Sequence, residues 1–204
     1  MQEGTMAIRF SLAGRQIVPV LAAALIAHGA AVGAPTSTRF TPFIEVGGTA
    51  LALNGKGTRY RLAFRVYDLA LYTTRHVATT EELLTLPGPK KLHFVALREL
   101  SGTDLGRLLL RGMTDNTPSL QLNRHVVATT RLIEVFSGKD KMLPGESFSM
   151  DFVPGKGTTF YIQGMAQGDP VGDDEFFNLV LRIWFGSSPA DPQLRDALLD
   201  GGRD

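Results

Sequence analysis

The chain has 204 residues, 44% hydrophobic and 20% charged, with 21 basic against 20 acidic side chains and no cysteine. That composition suits one medium-sized globular domain and excludes a disordered or fibrous protein. Near-neutral charge leaves no electrostatic footprint for nucleic acid, no run of like charge marks a membrane surface or an acidic partner, and the missing cysteine excludes disulfides and thiol chemistry.

At the start, Arg9 and Arg15 precede an apolar, alanine-rich run from Ile17 to Ala34 that ends in small residues, the pattern of a secretory leader. Pro19 and His28 interrupt the run, which argues against a permanent membrane span. Residues 1–34 are therefore expected to be a signal peptide cleaved after Ala34 or Ala31, with Met6 as an alternative start, and 35–204 to be the single folded domain. Arg9, Arg15 and Glu3 leave with the leader, so the mature chain is formally neutral. An exported, cysteine-free chain points to the bacterial periplasm.

Beyond a polar linker from Pro35 to Thr41, residues 43–46 read as a short strand stopped by Gly47-Gly48. Residues 50–53 are expected to turn at Asn54-Gly55, a strong hairpin signal between apolar runs. From Arg59 to Tyr72 the alternation predicts one strand face with Leu62, Phe64 and Val66, and another with Arg61, Ala63, Arg65 and Tyr67. Arg59 and Tyr67 then share a face, and Asp68 marks a bend or edge. Thr79 or Thr80 caps a helix that Pro87-Gly88-Pro89 ends. Residues 91–97 form a central strand leading to Ser101 or Thr103, either of which caps a helix through Arg111 with Leu105, Leu108 and Leu109 inward.

Asn116 to Pro118 break that helix. A longer one is predicted from about Leu120 to Phe136, with Leu122, Val126, Thr129, Ile133 and Phe136 along one face. Residues 147–153 and 158–163 form a hairpin across Pro154 to Gly157, followed by a short strand at 165–167. Gly172 to Glu175 cap a nearly all-apolar, buried helix containing Phe176, Phe177 and Trp184, and 189–199 close the chain as a short helix. Strands, helices, strands and helices without strict alternation argue for an α+β domain with helices over an antiparallel sheet.

Little catalytic machinery is legible. His76, His93 and His125 lie far apart without metal-ligand spacing, so no metal is expected, and no cofactor motif is present. There is no GxSxG elbow. His93 reads as a hydrogen-bonded core residue, the two Gly-Lys-Gly stretches as hairpin turns, and Asp173 to Glu175 as helix-start carboxylates. What remains is the pair Arg59 and Tyr67. A guanidinium offers bidentate donors and a phenol a third, which makes an anchor for an anionic head group; the alternative is that both are ordinary strand residues.

Several stretches together resemble the chalcone isomerase-like family, in particular its bacterial, exported members. These are LNGKGTR with VYDLALY within 53–72, the Leu100-Ser101-Gly102 helix start, LPGESFSMDFVPGKGTTFYIQG at 143–164 and DDEFFNLVLRIWFGSSP at 173–189. The resemblance implies an open-faced β-sandwich, a large antiparallel sheet covered on one face by helices, with a ligand cleft between them. Of the isomerases' site residues only the arginine is kept, at Arg59. The strand threonine falls at Tyr67, the tyrosine at Leu105, the asparagine near Gly112 and the last hydroxyl near Phe177, so chalcone isomerisation is not expected.

The family's fatty-acid-binding branch is similar in keeping an arginine and a tyrosine at Arg59 and Tyr67 to grip a carboxylate, with Leu105 and Phe177 as apolar lining. Burying roughly ten methylenes at about 0.8 kcal/mol each gives on the order of 8 kcal/mol, micromolar binding before ordering costs. The reading is thus a non-catalytic periplasmic binder of a fatty acid or similar amphipathic carboxylate. Its alternatives are an isomerase or lyase acting on an enone or phenolic substrate and a partner-binding protein with a vestigial cleft, the partner unspecified.

Overall fold

The computed structural model describes Met1 and residues 38–200. The chain divides into two units, Met1–Val32 and Gly33–Asp204. The expected leader segment from 2 to 34, with both cleavage points, lies outside the described residues. Within the second unit the strands are β1 (Phe43–Val46), β2 (Thr49–Arg61), β3 (Phe64–Thr73), β4 (Lys90–Ala96), β5 (Leu100–Ser101), β6 (Lys141–Met142), β7 (Ser147–Val153), β8 (Gly157–Ile162) and β9 (Met165–Ala166). The helices are α1 (Thr80–Thr85), α2 (Gly102–Asp115), α3 (Ser119–Arg124), α4 (Val126–Ser137), α5 (Asp174–Phe185) and α6 (Pro192–Leu199). Seven strands pair antiparallel in the order β1-β2-β3-β4-β7-β8-β9, and β5 and β6 make a separate small ladder. The chain is α+β, as its element order predicts. No helix of the described residues is long and apolar enough to cross a membrane.

Alternation sorts the sheet into two faces. Leu69 and Leu71 of β3, Leu92 and Phe94 of β4, and Phe148, Met150 and Phe152 of β7 point into the main core, against Leu105, Leu109 and Met113 of α2 and the apolar residues of α5. Phe94 stacks on Phe148 at 4.1 Å and 7°, closing the middle of this layer. On the opposite face Val46, Leu51, Ala70 and Tyr72 form a smaller cluster with Phe40 and Ile44. Capping is as the sequence signals it: Thr79 accepts from the Glu82 amide, Ser101 from Asp104 and Asp173 from Phe176.

Five local expectations are overturned. The hairpin does not turn at Asn54-Gly55; β2 runs through it with a bulge, and the chain reverses at Leu62-Ala63. The glycines serve packing instead: a Cβ on Gly55 would lie 2.3 Å from the Leu198 carbonyl oxygen, and one on Gly57 2.7 Å from a Leu194 methyl, so both admit α6. Asn54 is consumed in the core, donating to the Val77 and Leu198 carbonyls and accepting from the Val77 amide and the Thr73 hydroxyl. Asp68 is not a bend or edge but lies fully buried mid-strand, accepting from the Thr58 hydroxyl at 2.6 Å and the Thr38 amide at 2.8 Å.

The third correction concerns the long helix, which breaks at His125 (φ −112, ψ 26) into α3 and α4. Beyond the break the buried residues are Ala128, Thr129, Leu132, Val135 and Phe136, so Thr129 and Phe136 face inward as expected, while Val126 is exposed and Ile133 only partly buried. His125 faces Asp173 and Glu175 at the start of α5, within 3.7 and 3.3 Å. Fourth, α2 continues to Asp115 and leaves Leu108 exposed, so its inward row is Leu105, Leu109 and Met113 at spacings of four. His93, expected in the core, is half-buried on the other face with its ring edge-on to Phe40 at 5.5 Å. Burial depresses its pKa, helped by the charge on Lys91.

Candidate functional site

Register brings Arg59 and Tyr67 together more closely than a shared strand would. They are direct cross-strand partners in β2 and β3, Arg59 two residues before β2 ends and Tyr67 three after β3 begins, on the helix-covered side of the sheet. The Arg59 Nη1 donates to the Tyr67 hydroxyl at 3.5 Å, and its guanidinium carbon lies 5.8 Å from the ring centroid. From below, Trp184 Nε1 of α5 donates to the same hydroxyl at 2.8 Å, inside the core.

This geometry decides what the phenol can do. A tyrosine oxygen accepts through two lone pairs and donates one proton. Here two N–H groups, from Trp184 and Arg59, donate to that oxygen, so the phenol keeps its own proton to donate. Tyr67 is 5% exposed, and its pKa is raised, chiefly by burial and slightly by Asp191, against the Arg59 charge and the hydrogen bonds from Arg59 and Trp184. The hydroxyl therefore stays protonated at neutral pH and acts as a donor beside a permanent cation.

The cleft in front of this pair has a volume of about 210 Å³. Arg59, Arg61, Val66 and Tyr67 form its sheet side, the Arg98 to Ser101 connection one wall, and Asp104, Leu105 and Leu108 from the first turns of α2 the other. Val66, Leu100, Leu105 and Leu108 supply apolar surface. Glu99 is engaged by Lys141 at 3.0 Å and Asp104 by Arg107 at 3.4 Å. The cleft is smaller than the roughly 300–1,000 Å³ usual for ligands enclosed by protein. It suits a head group and the first part of a chain.

Of the four residues singled out from sequence, Arg59, Tyr67 and Leu105 meet at this cleft. Phe177 does not line it: the ring is buried in the core, stacked on Phe152 at 4.8 Å and 11°. Three contributors were missed. Trp184 was visible only as part of an apolar helix, and its contact with Tyr67 spans 117 positions. Arg61 and Arg98 carried no signal beyond their charge. Among the described residues no group of three His, Asp or Glu side chains is arranged to hold a metal ion.

A model of the chalcone isomerase-like family matches residues 36–200. The chain belongs to that family. No curated protein matches it. Among solved structures it is similar to the Arabidopsis thaliana fatty-acid binding protein AtFAP1, with 14% identity and a TM-score of 0.60 over 80% of this chain and 92% of that one. At that identity the likeness shows the fold, a chalcone isomerase-like one. Within this fold, Leu105 puts an apolar side chain at the cleft, and Gly112 admits no larger residue without movement, since a Cβ there would lie 2.7 Å from an Ile183 methyl.

Proposed function

We propose that the protein is a non-catalytic binder of a fatty acid or similar amphipathic carboxylate, working in the bacterial periplasm. The observation that carries this reading is the paired donor at the cleft floor: the Arg59 guanidinium and the unspent proton of Tyr67, fixed from behind by Trp184. A carboxylate accepts from both, and charge-assisted bonds of that kind are among the stronger ones available. The chain's apolar part lies along Val66, Leu100, Leu105 and Leu108. A carrier reading is preferred to an isomerase because Leu105, Gly112 and Phe177, at or near which the isomerases' tyrosine, asparagine and last hydroxyl fall, themselves carry no hydroxyl or side-chain amide to orient a phenolate. The name of the similar plant protein supports a lipid ligand. The leader-like start of the sequence supports export.

Calorimetry with a series of saturated fatty acids and the matching alcohols tests it. Arg59→Ala is expected to weaken carboxylate binding about 10- to 150-fold, corresponding to roughly 1.5–3 kcal/mol, and to leave alcohol binding little changed. Equal affinity of wild type and Arg59→Ala for the carboxylates would sink the assignment. Turnover of an enone or phenolic substrate by the wild type would favour the isomerase reading instead.

A further inference from the structure

The tip of the β2–β3 hairpin is built against the ordinary rules for a turn. Leu62 and Ala63 are its two central residues, and Leu62 has φ +55, at a position that glycine usually occupies. A leucine held there is strained, and it gains no burial in return: Leu62 is 91% exposed. Phe64, where β3 begins, is 61% exposed. Within 59–66 the sequence RYRLAFRV holds three arginines and no acidic residue. Folding adds a fourth, since the Arg98 guanidinium lies over the Phe64 ring at 5.6 Å. Arg65 reaches inward to Asp68 at 4.0 Å, whereas Arg61 and Arg98 flank the tip and also line the cleft. The sequence contains no run of charge because the cluster is assembled from two separate segments.

Exposed leucine and phenylalanine ringed by arginines is the chemistry of a segment that inserts shallowly among lipid head groups, with apolar side chains in the acyl boundary and cations at the phosphate level. We propose that this hairpin tip docks on the surface of an anionic lipid bilayer, bringing the cleft mouth at Arg61 and Arg98 against the membrane. A protein in contact with the bilayer there would exchange an amphipathic molecule without passing it through water. The docking does not depend on what the cleft holds, so it and the carrier reading can fail separately.

The test is co-sedimentation of the protein with vesicles of phosphatidylcholine alone and of phosphatidylcholine mixed equally with phosphatidylglycerol. Binding is expected to the mixed vesicles, to weaken several-fold as salt rises, and to fall about tenfold or more in Leu62→Gly combined with Phe64→Ser. Leu62→Gly alone relieves the positive φ, so its melting temperature should match or exceed wild type while its vesicle binding drops; that separates lost docking from lost folding. Calorimetric binding of soluble fatty acid should be unchanged in both variants, because neither residue lines the cleft. The proposal is overturned if neither vesicle is bound, if binding ignores lipid charge, or if the double variant binds like wild type. A self-association dissolved by the double variant, with no vesicle binding, would assign the tip to a second copy of the chain and equally overturn it.

Discussion

Tyr67 and Trp184 should behave as an energetic unit, which a double-mutant cycle measures. Tyr67→Phe removes the hydroxyl and strands the Trp184 N–H in a core where Trp184 is 2% exposed. An unsatisfied buried donor of that kind costs about 1–3 kcal/mol. Trp184→Phe strands the hydroxyl instead, leaving it the long 3.5 Å bond from Arg59, and adds a cavity from the lost ring atoms. In the double variant neither polar group remains, so both desolvation penalties vanish while the cavity contribution persists and cancels in the cycle. The pair is therefore expected to be less destabilising together than the sum of its parts by about 1–2 kcal/mol. Urea unfolding followed by circular dichroism supplies the four free energies, since the sole tryptophan is itself mutated. Additivity to within about 0.5 kcal/mol would refute the claim that Trp184 holds the phenol.

Two further predictions concern the scaffold. Gly55→Ala places a methyl 2.3 Å from the Leu198 carbonyl and should push α6 off β2, costing about 1–3 kcal/mol and lowering the melting temperature by roughly 2–4 °C per kcal/mol in a scan. Tyr72 donates to the Thr41 carbonyl at 2.9 Å, and burial pushes its pKa from 10.0 up to about 12. Its unfolded form ionises first, so the stabilisation is intact below about pH 10 and lost as pH rises through about 12. Tyr67 is raised as well and acts in the same direction. Urea midpoints taken on either side of that window should fall for wild type and fall less for Tyr72→Phe.

Elements whose signals are local were legible from sequence. The hairpin across Pro154 to Gly157, the helix caps at Thr79, Ser101 and Asp173 and the buried α5 follow from residues within a few positions of one another. The failures have one physical form. Asn54-Gly55 carries every local mark of a turn, yet tertiary contacts claim both residues: the side chain of Asn54 ties Val77 to Leu198, 144 positions away, and Gly55 gives up its side chain to the α6 backbone. At His125 the helical periodicity continues in sequence but the chain breaks where the imidazole meets Asp173 and Glu175 of α5. Neither contact is encoded in its own window.

The displaced turn also explains why Arg59 and Tyr67 read as sharing a face but not as touching. A strand running from Arg59 to Tyr67 and a hairpin folded at Leu62-Ala63 both put the two residues on one face, so parity alone could not distinguish them. Only the hairpin makes them touch. On β2 the helix-facing row is Gly55, Gly57 and then Arg59. The two glycines let α6 press against the strand, and α6 begins at its cap Asp191, whose Oδ1 accepts the Gln193 and Leu194 amides while Oδ2 accepts the Tyr60 amide. Close packing therefore stops one residue short of the turn-side segment, and the first side chain beyond it is the arginine. A bulkier residue at Gly57 would lift α6 and loosen the Asp191 clamp on Tyr60, which is the fixed backbone from which Arg59 reaches Tyr67. The cleft exists because the packing that holds β2 ends where the guanidinium begins.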